Sequence, residues 1–446
     1  MRAEIQKNLR FNFTVNVMDG AFYGFALGFS SFVTVIPLFV STLTDSSILI
    51  GLVASLHLIG FQLPQLLTAN RVARLRRYKP LIMFLTINER LPFLFLALVA
   101  LNVNALGKNL ALILTLIFVI WAALGAGLTG NPWQSMIAKI FPPEMRGTFY
   151  GTQSAAANLT QSASAVLAGI ILVQVAAPGN FALCFFCTAF IMIFSYISLG
   201  SAREPDAPPA LEKSRSMSEF WRGLFDILRR DGDFRLFLAV RMLAQFAALG
   251  TAFFTIYAVR HFSMDDGTAG IMTAVLMLAT TVSNPLFGWL GDRYSHRVMF
   301  ALCILLAGGS SAVALFAPSL GWFYLVFALA GFSSAGLWTT VMAMTVEFGA
   351  QEERPYYIGM ANTLTAPATL AAPLLGGWLA DAVSYQATFA IAAVSGLITV
   401  IMIYFMRPQP KQPTSGGNST EAESAVSEIA EVEPVLVPTS PYLEQI

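Results

Sequence analysis

Apolar residues fill this chain in long runs, and most charged residues lie in the links between them. Twelve runs reach the roughly 20 residues that cross a bilayer core: about 11–40, 48–69, 81–101, 109–137, 147–173, 180–200, 234–259, 268–290, 298–317, 320–345, 357–381 and 386–406. They are continuous rather than alternating, which excludes a transmembrane β-barrel. Lipid offers backbone N–H and C=O groups no partners, so each run is predicted to be a helix. The expected fold class is an all-α polytopic membrane protein. Several runs exceed the minimum, which permits tilt without fixing its angle.

Lysine and arginine divide the links into two sets. Arg71, Arg74, Arg76, Arg77 and Lys79 crowd the link between the second and third runs, and Arg293 and Arg297 mark the one between the eighth and ninth. The opposite set holds Lys108 and Arg260. By the positive-inside rule both termini and the basic links are predicted to be cytoplasmic, in a cell membrane. Behind Arg2, Lys7 and Arg10 the first run exceeds the ~7–15 residues of a signal core, so it is expected to remain as a span.

The longest internal link, 201–233, separates six runs (1–200) from six more (234–406). It opens with Pro205 to Pro209. A helical pattern then starts at Ser216, with Glu219 three residues on as in a capping box. Met217, Phe220, Trp221, Leu224, Phe225 and Leu228 recur at helical spacing opposite Arg222, Asp226, Arg229 and Arg230. That pattern predicts an interfacial helix on the cytoplasmic leaflet, a plain linker being the alternative. The segment 407–446 is rich in Pro, Ser, Gly and Glu and is expected to be disordered.

Composition agrees: 56% of residues are hydrophobic and 11% charged, against roughly 25% charged in ordinary soluble domains, and mean hydropathy is +0.66. A net charge of +1 gives no electrostatic case for a nucleic-acid partner. Cys184 and Cys187 form a C-x-x-C inside an apolar run, where small buried side chains are the expected reading. The sequence has no Walker A pattern, so ATP is not expected to drive the protein directly. It has no H-E-x-x-H, no G-x-S-x-G and no metal-spaced His/Cys set, so neither an enzyme nor a cofactor is expected.

The two halves repeat each other. Arg146 and Gly151 reappear at a common offset as Arg354 and Gly359, and Leu167-Ala168-Gly169 as Leu375-Gly376-Gly377. At nearby offsets Ala126-Gly127-Leu128 matches Ala335-Gly336-Leu337, and Val15-Asn16-Val17-Met18 resembles Val240-Arg241-Met242-Leu243. Parallel six-span repeats imply two bundles with a cavity between them.

On these repeats the chain resembles the major facilitator superfamily over about residues 5–406. Its most specific item is the signature G-x-x-x-D-R/K-x-G-R-R/K, met here as Gly288…Asp292-Arg293…Arg297 with Ser295 at the usual glycine position. The first-half copy is degenerate: Asn70 aligns with Asp292 and Leu66 with Gly288, leaving only the basic run from Arg71 to Lys79. The resemblance implies that the signature forms a latch stabilising the outward-facing state, with Asp292 at the start of the fifth span beside Arg146. It implies a monomeric secondary transporter of a small-molecule solute working by alternating access. The family's drug-antiporter signature, a glycine-rich stretch with Gly-Pro, is missing between Gly147 and Val173.

Ionisable side chains inside apolar runs are site candidates by default, because insertion costs at least ~2.5–3.5 kcal/mol each. Asp19 in the first run and Arg241 in the seventh are expected to line the cavity. They could pair across it, bind a charged solute group, or be satisfied within their own halves; Asp19 could carry a proton. Glu89 and Arg90 are adjacent in the third run, face about 100° apart and are not expected to pair with each other. The resemblance makes the third span a peripheral support and so implies bracing of a neighbouring span there, with proton relay by Glu89 open.

Asn16, Tyr23, Gln134, Gln153, Asn158, Gln245, Trp338 and Asn362 are expected on the cavity wall, each with helix–helix bonding as its alternative. His57 is expected to be a packed polar residue. Pro37, Pro64, Pro92, Pro285, Pro367 and Pro373 permit kinks, and Pro64 and Pro285 occupy equivalent points. Three functions stay open: proton-coupled export of an amphipathic or hydrophobic solute, uptake of a sugar or organic anion, and a non-transporting membrane sensor on the same scaffold.

Overall fold

The computed structural model describes residues 2–32, 34–206, 217–350 and 353–406. Ser216 of the expected capping box, Pro208, Pro209 and the segment 407–446 lie outside the described residues. The helices are α1 (Arg2–Phe29), α2 (Val35–Leu43), α3 (Ser47–Gln62), α4 (Gln65–Val72), α5 (Lys79–Leu101), α6 (Val103–Leu106), α7 (Lys108–Ile140), α8 (Arg146–Gln174) and α9 (Gly179–Ser201). After the link come α10 (Met217–Arg230), α11 (Gly232–Ala247), α12 (Phe254–Phe262), α13 (Asp266–Arg293), α14 (His296–Phe316), α15 (Trp322–Thr345), α16 (Arg354–Ala382) and α17 (Tyr385–Tyr404). Among the described residues, 9 helical segments are long and apolar enough to cross a membrane.

The first, second and seventh runs are each broken, where the pattern predicts one helix. The first divides into α1 and α2, with Pro37 in the opening turn of α2, where a missing N–H costs no ladder bond. The second divides at Leu63–Pro64, because proline has no N–H to donate and crowds the preceding turn. Pro285, its expected counterpart, stays inside the unbroken α13. The seventh passes through a 3-10 turn, Leu249–Ala252, between α11 and α12.

The helices form two bundles. In the first, α1 packs on α8 and α9, α5 on α7 and α9, and α3 on α7; in the second, α15 packs on α13 and α14, and α17 on α11 and α14. Phe39, Phe93 and Phe185 are fully buried in one core, and Phe234, Phe237 and Phe300 in the other. The bundles meet where α13 lies on α8 and α4 lies on α16.

Glycine makes the first contact possible. A Cβ on Gly288 would stand 2.2 Å from the carbonyl oxygen of Gly147, and one on Gly151 2.3 Å from that of Asn284. At the second contact only Gly359 supplies a glycine, against Leu66, whose Cα would lie 2.9 Å from its added Cβ. Both contacts sit at the end of the molecule that carries the basic links. Toward the other end α8 stands clear: nothing lies within 4 Å of a Cβ on Gly169, and Val173 is 87% exposed.

The link is fastened at both ends. Glu204 accepts from the N–H groups of Tyr78 and Lys79 (2.8 Å each) and pairs with buried Lys139 at 2.8 Å. Beyond it, α10 buries Leu224 and Ile227 and leaves Trp221 and Phe225 exposed. Arg230 pairs with Glu353, which holds Arg230 above the usual arginine range, and the Tyr357 hydroxyl donates to Asp231 Oδ2 at 2.9 Å.

Candidate functional site

Three helices of the first bundle bring buried charges together. Arg90 on α5 lies 3.6 Å from Asp19 Oδ1 on α1 and 3.4 Å from Glu89 Oε2. Ser195 on α9 accepts from Arg90 Nη2 at 2.8 Å and donates to Asp19 Oδ1 at 2.6 Å. The Tyr23 hydroxyl donates to Glu89 Oε1 at 2.5 Å, and Thr86 Oγ1 to Glu89 Oε2 at 3.2 Å. Asp19 is 7% and Glu89 8% exposed. Two carboxylates therefore share one guanidinium, which leaves the cluster one proton short of neutrality when both are ionised. A buried uncompensated ion costs several kcal/mol.

Of the alternatives open for Asp19, the one found is satisfaction within its own half, since its cation is Arg90 and not Arg241. One expectation is corrected. Glu89 and Arg90 do touch, because the long arginine stem closes the gap between side chains that leave the helix about 100° apart. Arg241, 8% exposed, instead donates to Asn362 Oδ1 at 3.1 Å and Thr345 Oγ1 at 3.4 Å, with its guanidinium over the Phe237 ring.

The neutral candidates separate. Gln153 donates to the Asn16 carbonyl at 2.9 Å, so these two tie α8 to α1. Asn362 donates to Gln65 Oε1 at 2.6 Å, joining the bundles. Gln134 is 1% exposed, and among the described residues neither end of its amide has a hydrogen-bond partner. Asn158 and Gln245 are half-buried, and Trp338 is 49% exposed beside Phe61. His57 stacks on Phe32 at 3.8 Å between centroids.

At the basic end Asp292 accepts from the N–H of Gly147 at 2.8 Å through Oδ1 and from that of Thr148 at 2.5 Å through Oδ2. A carboxylate thus caps α8, where unpaired N–H groups and the helix dipole favour an anion. Its side-chain partner is not Arg146. That guanidinium donates to the carbonyls of Ala138 (2.5 Å) and Phe141 (3.3 Å), at the end of α7, where helix carbonyls lack partners. His296 takes the place, with Nε2 3.2 Å from Asp292 Oδ1 and Nδ1 2.6 Å from Glu347 Oε1. Arg293 lies over the rings of Trp289 and Tyr294, and Arg297 donates to the Tyr404 carbonyl at 2.7 Å.

The degenerate twin is altered on both sides. Tyr356 donates to Asn70 Oδ1 at 3.4 Å, and the repeat counterpart of Gly147 is Pro355, which has no N–H to offer a carboxylate. Asp292→Asn should lower turnover about tenfold while the protein still inserts, since losing a charged acceptor costs ~1.5–3 kcal/mol. Wild-type flux in that variant would remove the latch from the mechanism. Ser195, Gln65 and His296 escaped the sequence reading. Only His296 carried a signal, four positions after Asp292.

The model of the Major Facilitator Superfamily matches residues 20–259 and 240–440. The MFS-type transporter TOXA of Cochliobolus carbonum is 25% identical over 189 residues, 41% of this chain and 34% of that protein. The efflux pump aflT of Aspergillus parasiticus is 30% identical over 144 residues, 32% of this chain and 28% of that protein. The chain thus spans about a third of the length of these curated relatives. Among solved structures, the E. coli fucose:proton symporter FucP superposes with a TM-score of 0.71 at 15% identity, covering 90% of this chain and 98% of that one. An outward-facing bacterial homologue of the iron transporter ferroportin gives 0.68 at 14% identity, covering 88% and 98%.

Proposed function

The chain belongs to the major facilitator superfamily, and from that premise we propose that it exports a small amphipathic or hydrophobic solute by alternating access, driven by protons moving inward. The observation that carries this reading is the buried cluster in which Asp19 and Glu89 share Arg90. Fully ionised, it holds a net negative charge away from water. A proton taken from outside neutralises it, and release inside restores the charge, so bundle movement and proton movement are linked.

The rest of the reading follows from position. The positive-inside rule assigns the basic end and both termini to the cytoplasm of a cell membrane. The bundles meet there and part at the other end, so this is the outward-open state. Residues 1–200 and 234–406 are the two rocking units of a monomer, joined by the link 201–233. Curated relatives named as efflux pumps support the outward direction for the solute.

A thermal-stabilisation screen on purified protein identifies the solute, and flux of that solute into or out of proteoliposomes under an imposed pH gradient tests coupling. Asp19→Asn and Glu89→Gln should each abolish gradient-driven flux while sparing downhill exchange. Gradient-driven flux that persists in both variants rejects proton coupling at this cluster. Accumulation against the expected direction would instead establish uptake through the same proton site.

A further inference from the structure

We propose that Arg241 binds an acidic group on the transported solute (a carboxylate, sulfonate or phosphate on an otherwise apolar body) and that closure at the basic end competes for the same guanidinium. This rests on the export reading above and adds the chemical class of what is exported.

Two cations buried in the first bundle have acids beside them, while a third, Arg146, caps the carbonyls at the end of α7. Arg90 has Asp19 and Glu89, and Lys139 has Glu204. Arg241 is as buried as Lys139, each 8% exposed. Among the described residues it has no carboxylate within 4.0 Å. It sits nine positions into α11, ~13 Å from the helix start at 1.5 Å per residue. Its two polar partners, Asn362 Oδ1 and Thr345 Oγ1, are neutral, and the second contact is long at 3.4 Å. Scaffold needs do not account for a charge here, because the repeat-related position on α1 is Asn16. A planar fork with neutral partners is suited to a bidentate anion, and the Phe237 ring beneath it supplies an apolar wall.

Asn362 makes the site sensitive to bundle position. Its Oδ1 accepts from Arg241, while its Nδ2 donates to Gln65 Oε1 on α4 of the other bundle. The Gln65 carbonyl accepts from Asn131, which also donates to the Pro355 carbonyl at 2.8 Å. When the basic end closes, Gln65 orients the amide so that its oxygen occupies Arg241. An anion brought from the cytoplasm is thereby displaced toward the open side. Binding of the anion in turn weakens the closed contact, as linkage requires.

The test uses the purified full chain in detergent, thermal unfolding, and four probes: 2-naphthoate, 2-naphthalenesulfonate, 2-naphthyl phosphate and the uncharged 2-naphthamide. At least one anion should raise the wild-type midpoint more than the amide does, and Arg241→Gln should reduce that shift to the amide's. Arg241→Lys, which keeps the charge and loses the fork, should retain part of it. Gln65→Ala should strengthen anion binding severalfold by removing the competitor's anchor. Ligand-free Arg241→Gln should melt no lower than wild type. Equal anion shifts in wild type and Arg241→Gln, no anion exceeding the amide, or a ligand-free Arg241→Gln that melts several degrees lower would each overturn the proposal. Failure of proton-driven flux would reject the export reading while leaving these binding shifts intact.

Discussion

Gly288→Val is expected to hold the bundles apart at the basic end and cut transport at least tenfold. The added Cβ would stand 2.2 Å from the Gly147 carbonyl oxygen, a backbone atom that cannot swing aside as a side-chain tip could. Overpacking at such contacts typically costs 1–3 kcal/mol, and about 2 kcal/mol confined to the closed state shifts its population roughly thirtyfold. Spin labels at Arg76 and Arg229, both exposed, should report a longer distance between the bundles. Gly169→Val on the same α8 is the control, since open space surrounds that position. Wild-type distances and flux in Gly288→Val would show that the contact yields without consequence.

Arg90→Ala should be the most destabilising single change in the first bundle, at about 3–5 kcal/mol, because it leaves Asp19 and Glu89 buried without their cation. Adding Asp19→Asn to the same chain should recover much of that loss, a coupling that a double-mutant cycle on thermal unfolding in detergent measures. A single variant as stable as wild type, or a double variant no better than the single, would mean that the cluster is held by its neutral hydrogen bonds alone.

The hydrophobic runs were legible because lipid permits so few backbone solutions. Where they break was less so. Pro64 ends a helix and Pro285 does not, although both were read from the same repeat position; neighbours decide whether a proline turn is kept. The acids were legible too, since an ionised side chain among leucines stands out. Their partners were not. The family resemblance implies Arg146 as the companion of Asp292, yet the bare carbonyls at the end of α7 claim it, and His296 fills the gap. For Asp19 and Arg241 the sequence leaves pairing, solute binding and bonding within each half all open. Packing of α9 against both α1 and α5 brings Ser195 and Arg90 to Asp19, and no spacing in a single chain announces which helices will adjoin. The Glu89–Arg90 contact was missed by following Cα directions rather than the reach of a long side chain.

The altered twin of the latch has a mechanical meaning. At the α8–α13 edge a carboxylate bolts one bundle to two N–H groups of the other; at the α4–α16 edge Pro355 has no N–H to offer, and neutral hydrogen bonds such as Asn362 to Gln65 and Tyr356 to Asn70 cross instead. A door fastened on one side swings about the other. Salt and charge-altering substitutions should therefore loosen one edge more than the other, so that the basic end opens by pivoting on α4 and α16 rather than by parting evenly.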